Sequence, residues 1–388
     1  MLAKVRPVGG RVYQSQDAPV DIPWKANYQH IYTNSGTAAL SLAVAAAMQA
    51  KASSVVGAPE VILPAYACPD LVAALIAQGA SPVLVDFEAG SFFLDLGKLQ
   101  QALTGNTVAI VAVNFLGMYE RLHKLREIAD AQGVMLIEDS AQAPVPLSAE
   151  AAYADFAILS YGRGKPVNLM GGGALLFKPV HSELISGVTA GLVRSQLVVN
   201  WVWKLKALIV NTLVMRYPYG VLERIPLLNI GATTYHPLQY IEVREGMDQL
   251  VSVGLKHFYA IREAQVAAYA KGLAELQNAG WKLVVDGEAN DVSRKGLLRF
   301  PILAPTRATR DHLELELNRL GYGANAFYRV PLPEIEGINM RLKNGRDDFP
   351  AAKEFADRLL TLPCHEGITV GEIDEVIDVV KTVAKLAC

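Results

Sequence analysis

The sequence predicts an α/β protein with a mostly parallel central sheet covered by helices, followed by a smaller C-terminal α+β domain. Three observations carry this. Short apolar runs alternate with helical patterns through the first half of the chain, as βαβ units require. Those runs are continuous in Val, Ile and Leu, so both sheet faces should be covered. At 388 residues the chain is also too long for one ordinary core.

The elements follow in order. "VILP" (61–64), "PVLVDF" (82–87), "VAIVAVNF" (108–115) and "VMLIED" (134–139) read as strands, with helical spacing over 69–79, 95–103 and 119–132 between them. Their C-terminal ends carry Asn114, Glu138 and Asp139, at the sheet edge where such folds bind ligands. The most apolar helical stretch is 196–215, and a loop-rich section then runs to about Val243. A long helix is expected over 247–277, followed by strand 296–303, helix 309–320, strand 323–330, and helices 349–360 and 370–385. The expected division is therefore 1–245 and 246–388, with an apolar helical insertion at about 195–228.

Composition narrows the function classes. Hydrophobic residues at 52% and charged residues at 19% argue against disorder. A formal charge of −2 offers no basic excess for a nucleic-acid backbone. Cys68, Cys364 and Cys388 are too few and too widely spaced for a disulfide framework or a metal cluster, so no metal is expected. With no apolar signal-peptide core near Met1, the expected location is the cytoplasm.

Chemistry concentrates in three clusters. Asn34-Ser35-Gly36-Thr37 stands directly before an alanine-rich helix, where free amides, hydroxyls and the helix dipole suit a phosphate as well as an ordinary N-cap. Asp139 ends a strand and is followed by Gln142. Lys165 comes five residues after Ser160 and shortly before Gly171, Gly172 and Gly173. It is not a P-loop lysine, because Leu159 and Pro166 occupy the places of the required glycine and hydroxyl residue. Nor do the glycines match a dinucleotide fingerprint. A phosphate cradle, a buried carboxylate and a solitary lysine together suit pyridoxal 5′-phosphate, the lysine bonding to the aldehyde and the carboxylate pairing with the pyridine nitrogen. At about 4 Å and an effective dielectric near 20 that pairing contributes about 4 kcal/mol, enough to keep the ring protonated at neutral pH.

The motifs "SGTAAL", "VILPAYA", "GASPVLVDFE", "NFLG", "IEDSAQA" and "GGGALLF", with "MDQLVSVGLKHF", "FPAAKEFADRLLTLP" and "ITVGEIDEVIDVV", resemble the DegT/StrS sugar aminotransferases, fold-type-I pyridoxal-phosphate enzymes. The resemblance covers most of 31–177 and 246–385. It implies that Lys165 carries the cofactor and Asp139 holds the pyridine nitrogen. It also implies that Gln142 contacts the phenolic oxygen, that Gly36, Thr37 and Ser160 bind the phosphate, and that Tyr66 stacks on the ring, although Tyr66 has a plain core reading too. A homodimer is implied, with Arg244 at the place of an asparagine that reaches the partner's phosphate; an exposed loop arginine is the bland alternative. The chain departs from the family at Asn114, in place of a histidine, and at Pro166 and Gly171.

The activity implied is amino transfer from an amino-acid donor to a keto sugar, with a nucleotide-linked acceptor expected, for amino-sugar or surface-polysaccharide biosynthesis. Alternatives are a lipid-linked or non-sugar acceptor, or a non-catalytic regulatory protein that binds the cofactor. For 196–215, two central lysines, Lys204 and Lys206, argue against a membrane span. The preferred reading packs its apolar arc against the body or the dimer partner, with Gln196, Asn200, Lys204, Ala207 and Asn211 as the polar stripe; the alternative lays it on the inner membrane surface.

Overall fold

The computed structural model describes residues 3–14, 20–146, 152–225, 233–261, 263–284 and 297–387. Among these residues nine strands form the main sheet: β1 (Gln29–Thr33), β2 (Glu60–Pro64), β3 (Ser81–Val85), β4 (Thr107–Val113), β5 (Met135–Asp139), β6 (Phe156–Ser160), β7 (Gly173–Phe177), β8 (Val193–Gln196) and β9 (Glu242–Glu245). Their order is β3-β2-β4-β5-β6-β7-β1-β9-β8. The first five in that order are mutually parallel, while β7 is antiparallel to both β6 and β1. A mixed α/β fold with a large, mostly parallel sheet is thus what the chain adopts.

The helices are α1 (Gly36–Ala50), α2 (Pro69–Ile76), α3 (Leu96–Ala102), α4 (Leu122–Gln132), α5 (Ser182–Thr189), α6 (Trp201–Leu213) and α7 (Arg216–Leu222). After them come α8 (Asp248–Ile261), α9 (Glu263–Leu273), α10 (Arg307–Arg319), α11 (Pro350–Arg358) and α12 (Val370–Ala387). Because strand side chains alternate, Val61 and Leu63 enter one core layer with α1 and α2, and Ile62 enters another with Leu99 of α3 and Leu125 of α4. Helix α1 is apolar and small all round, and it is buried between the sheet, α2 and α5.

A second sheet of three antiparallel strands, β10 (Lys282–Leu283), β11 (Arg299–Leu303) and β12 (Leu359–Pro363), lies in the C-terminal part. Here the expectations need correction. "GANAFYRV" makes only a single bridge, Asn325 with Thr361, and its Phe327 has a left-handed φ of 57° that breaks extension. The third strand comes instead from "LLTLP", of which only Leu359 and Leu360 fell within the expected helix 349–360. The long helix divides into α8 and α9, and ends in a 3₁₀ turn over Ala274–Ala279. Helix α8 sends Leu250, Val251 and Leu255 into a core with Trp24 and Leu159, whereas α9 packs along α12.

The segment 196–215 also differs. Gln196 ends edge strand β8, and the helix begins only at Trp201, where Asn200 caps it by accepting from the Trp203 amide at 3.0 Å. Its inward face includes part of the expected polar stripe. Trp203 and Ala207 are buried, and Asn211 exchanges two hydrogen bonds with the Val12 backbone, at 2.8 and 3.0 Å. The apolar arc points out within the chain: Trp201 is 74% exposed, Leu208 62% and Ile209 48%. Among the described residues, no helix is long and apolar enough to cross a membrane. The last expected residues of the insertion, 226–228, and Cys388 lie outside the described residues.

Candidate active site

The parallel strands deliver their C-terminal ends to one edge. Asp139 ends β5 and Ser160 ends β6, while Ser35 caps α1 by accepting from the Ala38 amide at 3.0 Å. One narrow cavity at that edge is lined by Gly36, Thr37, Asp139, Gln142, Ser160 and Lys165, with Leu40, Leu71 and Ile158 as its apolar wall. Six of the eight residues expected at the site are therefore neighbours, although β1 and β6 lie far apart in sequence.

Close backbone packing makes this possible. A Cβ on Gly173 would stand 2.5 Å from the Gly36 nitrogen, and one on Gly36 would stand 2.8 Å from the Ser160 Cβ. Gly171 and Gly172 have φ of 146° and 100°, which side-chain-bearing residues avoid. Through this turn the chain comes back from the Lys165 loop into β7.

The polar groups are set up differently. Asp139 is buried and accepts from the Ala141 amide at 2.9 Å. Burial pushes its carboxyl above the ordinary range; the Ala141 amide and the Lys165 charge pull it down, and Asp70 adds to the rise. Gln142 accepts from the Leu116 amide at 3.0 Å, which leaves its NH₂ for the cavity. Asn114 is taken up structurally, donating to Glu138 and Ser140 at 2.7 Å each.

Tyr66 is not part of this cavity. It is fully buried, its ring packs edge-on against Phe87, Phe115, Tyr328 and Phe355, and its hydroxyl donates to the Tyr328 carbonyl at 2.7 Å. The core reading therefore describes it. Arg244 lies on β9 opposite Tyr32, with its Nε 3.3 Å from Glu242, and is not among the lining residues either. Sequence reasoning missed Cys68 and Asp70, which line the cavity at the start of α2. Burial lifts the Cys68 thiol to about 11, and Asp70 adds to the rise. The signal available was their place, just beyond the end of β2.

The residues fit pyridoxal 5′-phosphate. The first-turn amides of α1 have no intrahelical partners, and the glycine contacts keep the space beside Ser160 clear of side chains. A buried, upshifted carboxylate at Asp139 calls for a cation, which a protonated pyridine nitrogen provides.

Comparison with known proteins agrees. The family model of the DegT/DnrJ/EryC1/StrS aminotransferase family matches residues 26–183 and 245–381. The chain is 26% identical over 331 residues to dTDP-3-amino-3,4,6-trideoxy-alpha-D-glucose transaminase of Micromonospora megalomicea subsp. nigra, covering 84% of this chain and 78% of that protein. Over 112 residues it is 31% identical to 3-oxo-glucose-6-phosphate:glutamate aminotransferase of Bacillus subtilis (strain 168), covering 29% and 25%. NtdA from Bacillus subtilis with bound cofactor PMP shares the fold at TM-score 0.67 and 20% identity, covering 93% of this chain and 74% of that one. Helicobacter pylori PseC, an aminotransferase involved in the biosynthesis of pseudoaminic acid, does so at TM-score 0.65 and 13% identity, covering 94% and 88%. The chain belongs to the DegT/DnrJ/EryC1/StrS aminotransferase family and is a pyridoxal-phosphate-dependent aminotransferase.

Proposed function

We propose that the enzyme moves an amino group from an amino-acid donor to a keto sugar, carried on a nucleotide, for amino-sugar or surface-polysaccharide biosynthesis. The observation that carries this is the convergence of Lys165, Asp139, Gln142 and Ser160 with the N-terminus of α1 in one cavity. The 26% identical relative, a transaminase of a dTDP-linked sugar, supports the acceptor class. When bound, pyridoxal 5′-phosphate supplies an aldehyde that bonds to amines and a ring that accepts an electron pair.

The chain's own residues do the rest. With the cofactor bound, Ser160, Gly36 and Thr37 would anchor its phosphate, whose charge the α1 dipole would favour. Asp139 would keep the ring nitrogen protonated, Gln142 would donate to the phenolic oxygen, and Lys165 Nζ would carry the cofactor and move a proton as base and acid. Leu40, Leu71 and Ile158 keep water from that transfer. We place the enzyme in the cytoplasm as a homodimer, with Arg244 reaching the partner's phosphate and a domain boundary near residue 245. Borohydride reduction and peptide mapping test the assignment: the pyridoxyl group is expected on Lys165, and finding it on another lysine refutes it.

One observation favours a lipid-linked acceptor instead. The outward apolar arc of α6 is flanked by exposed Lys204 and Lys206, and the helix contains no acidic residue. Co-flotation with anionic liposomes, lost on Trp201→Ser plus Leu208→Ser, would support that reading; no flotation of the holoenzyme excludes it.

A further inference from the structure

A larger cavity, about 530 Å³, adjoins the Lys165 cavity. Gly164 lines one and Lys165 the other, and Cys68 of the smaller is hydrogen-bonded to Tyr328 of the larger. One side of the larger cavity is apolar, formed by Val210, Leu213 and Val214 with Leu222 of α7. Its size suits a small organic ligand.

Four charged side chains line this space: Arg6, Arg163, Glu223 and Arg299. Two are neutralised, Arg6 by Glu366 and Glu223 by Lys4 at 2.6 Å. The other two are not. Arg163 is exposed and, among the described residues, without a partner. Arg299, on β11, has neither a hydrogen bond nor an ion pair there; its guanidinium lies over the Phe327 ring at 4.8 Å. The groups that oppose its desolvation are the phenols of Tyr328, Tyr219 and Tyr66, with no carboxylate among them. Burial draws Arg299 down to about 10, so it is still cationic at neutral pH.

A half-buried cation that faces a cavity without a counter-charge is partly desolvated at a cost, and a ligand oxyanion offsets that cost. An arginine fork does so with two parallel bonds, where a lysine offers a point charge. We propose that Arg299 is the anion anchor of the substrate site, receiving a carboxylate or phosphate of the molecule whose reacting carbon is presented at Lys165. The inference rests on Lys165 being the reacting lysine. Two sources share the chemistry: the carboxylate of the amino donor and a phosphate of the acceptor. Arg163 at the rim adds attraction for either.

The test uses holoenzyme reduced with borohydride, so that the phosphate cup is already filled, titrated calorimetrically with inorganic phosphate. Wild type is expected to bind it saturably, Arg299→Gln at least tenfold more weakly, and Arg299→Lys in between. Unreduced holoenzyme with L-glutamate, followed by loss of the cofactor's visible absorbance, separates the sources. If the donor carboxylate is the anion, Arg299→Gln raises the half-saturating glutamate concentration at least tenfold and phosphate competes. If the acceptor's phosphate is the anion, that concentration moves less than twofold while phosphate binding is still lost. A folded Arg299→Gln or Arg299→Lys enzyme that changes neither quantity overturns the anchor. A wild type that binds phosphate through Arg299 yet converts with no amino donor refutes the transfer reading instead, and leaves the anchor standing.

Discussion

The two adjoining cavities are built in opposite ways. The one that holds Lys165 is walled by strand ends, a helix N-terminus and glycine backbones in near contact, so its shape follows from the sheet itself. The larger one is walled by the N-terminal segment, α6, α7 and the loop around Phe327, held together by side-chain contacts between distant segments. The difference teaches where an enzyme of this kind keeps its chemistry and where its selectivity can vary: the sheet edge fixes the first, and the surrounding segments set the second.

Four experiments sharpen or break that contrast. Asp139→Asn should retain cofactor yet lose turnover by about 4 kcal/mol, roughly a thousandfold, while phosphate binding in the larger cavity stays within twofold. Steady-state kinetics beside the calorimetric titration checks both halves, and near-normal turnover would remove Asp139 from the mechanism. Next in size is Gly173→Ala, whose added Cβ meets backbone rather than a yielding side chain. A loss of about 3 kcal/mol in denaturant unfolding is expected, with weakened cofactor binding; an unchanged midpoint would show that the small cavity is not rigid.

Acid reaches β6 at the end opposite Ser160. Asp155, just before β6, works against burial, but hydrogen bonds from His181, the Leu136 amide and Arg126 hold its carboxyl at about 2. A folded-state value below the unfolded one, about 3.9, means stability present above pH 4 and lost as pH falls from about 4 to about 2. The contribution is about 2 kcal/mol, and Asp155→Asn should flatten that part of the acid-unfolding curve. Smallest is Asn211→Ala, which removes the two bonds to Val12. It should cost about 1 kcal/mol, shift substrate half-saturation a fewfold, and leave cofactor affinity alone; a cofactor defect there would join the two cavities into one unit.

The same contrast explains what the sequence revealed. Strands β2 to β5 were readable because each is a continuous apolar run, Asp139 and Ser160 because they end such runs, and Lys165 because it follows one closely and precedes three glycines. Edge strand β8 and its neighbour β9 were not, since "VRSQ" and "EVRE" are short, polar and carry no apolar run to detect. Tyr66 turns into the aromatic core after β2 ends, and it is Cys68 and Asp70, at the N-terminus of α2, that face the cavity. Nothing local in "GLLRFPIL" marks Arg299, because its setting depends on Phe327, Tyr219 and Tyr328, brought near only by the fold. The outward turn of the α6 arc was unreadable for a similar reason: Asn211 is drawn inward by a backbone stretch about two hundred residues earlier, an effect absent from any helical wheel.

The place of β1 in the sheet has a consequence for how the protein comes into being. Among the described residues it precedes every other strand, yet its neighbours are β7 and β9, with Gln29 opposite Phe177. On a ribosome, β1 cannot pair with β7 until the chain has been made through Phe177, and α1, which follows β1 closely, packs on that same late strand. Such distant pairing slows folding and raises the contact order. Cofactor capture thus becomes a readout of completed assembly: a nascent chain halted before β7 has the serine, the aspartate and the helix, but no cup.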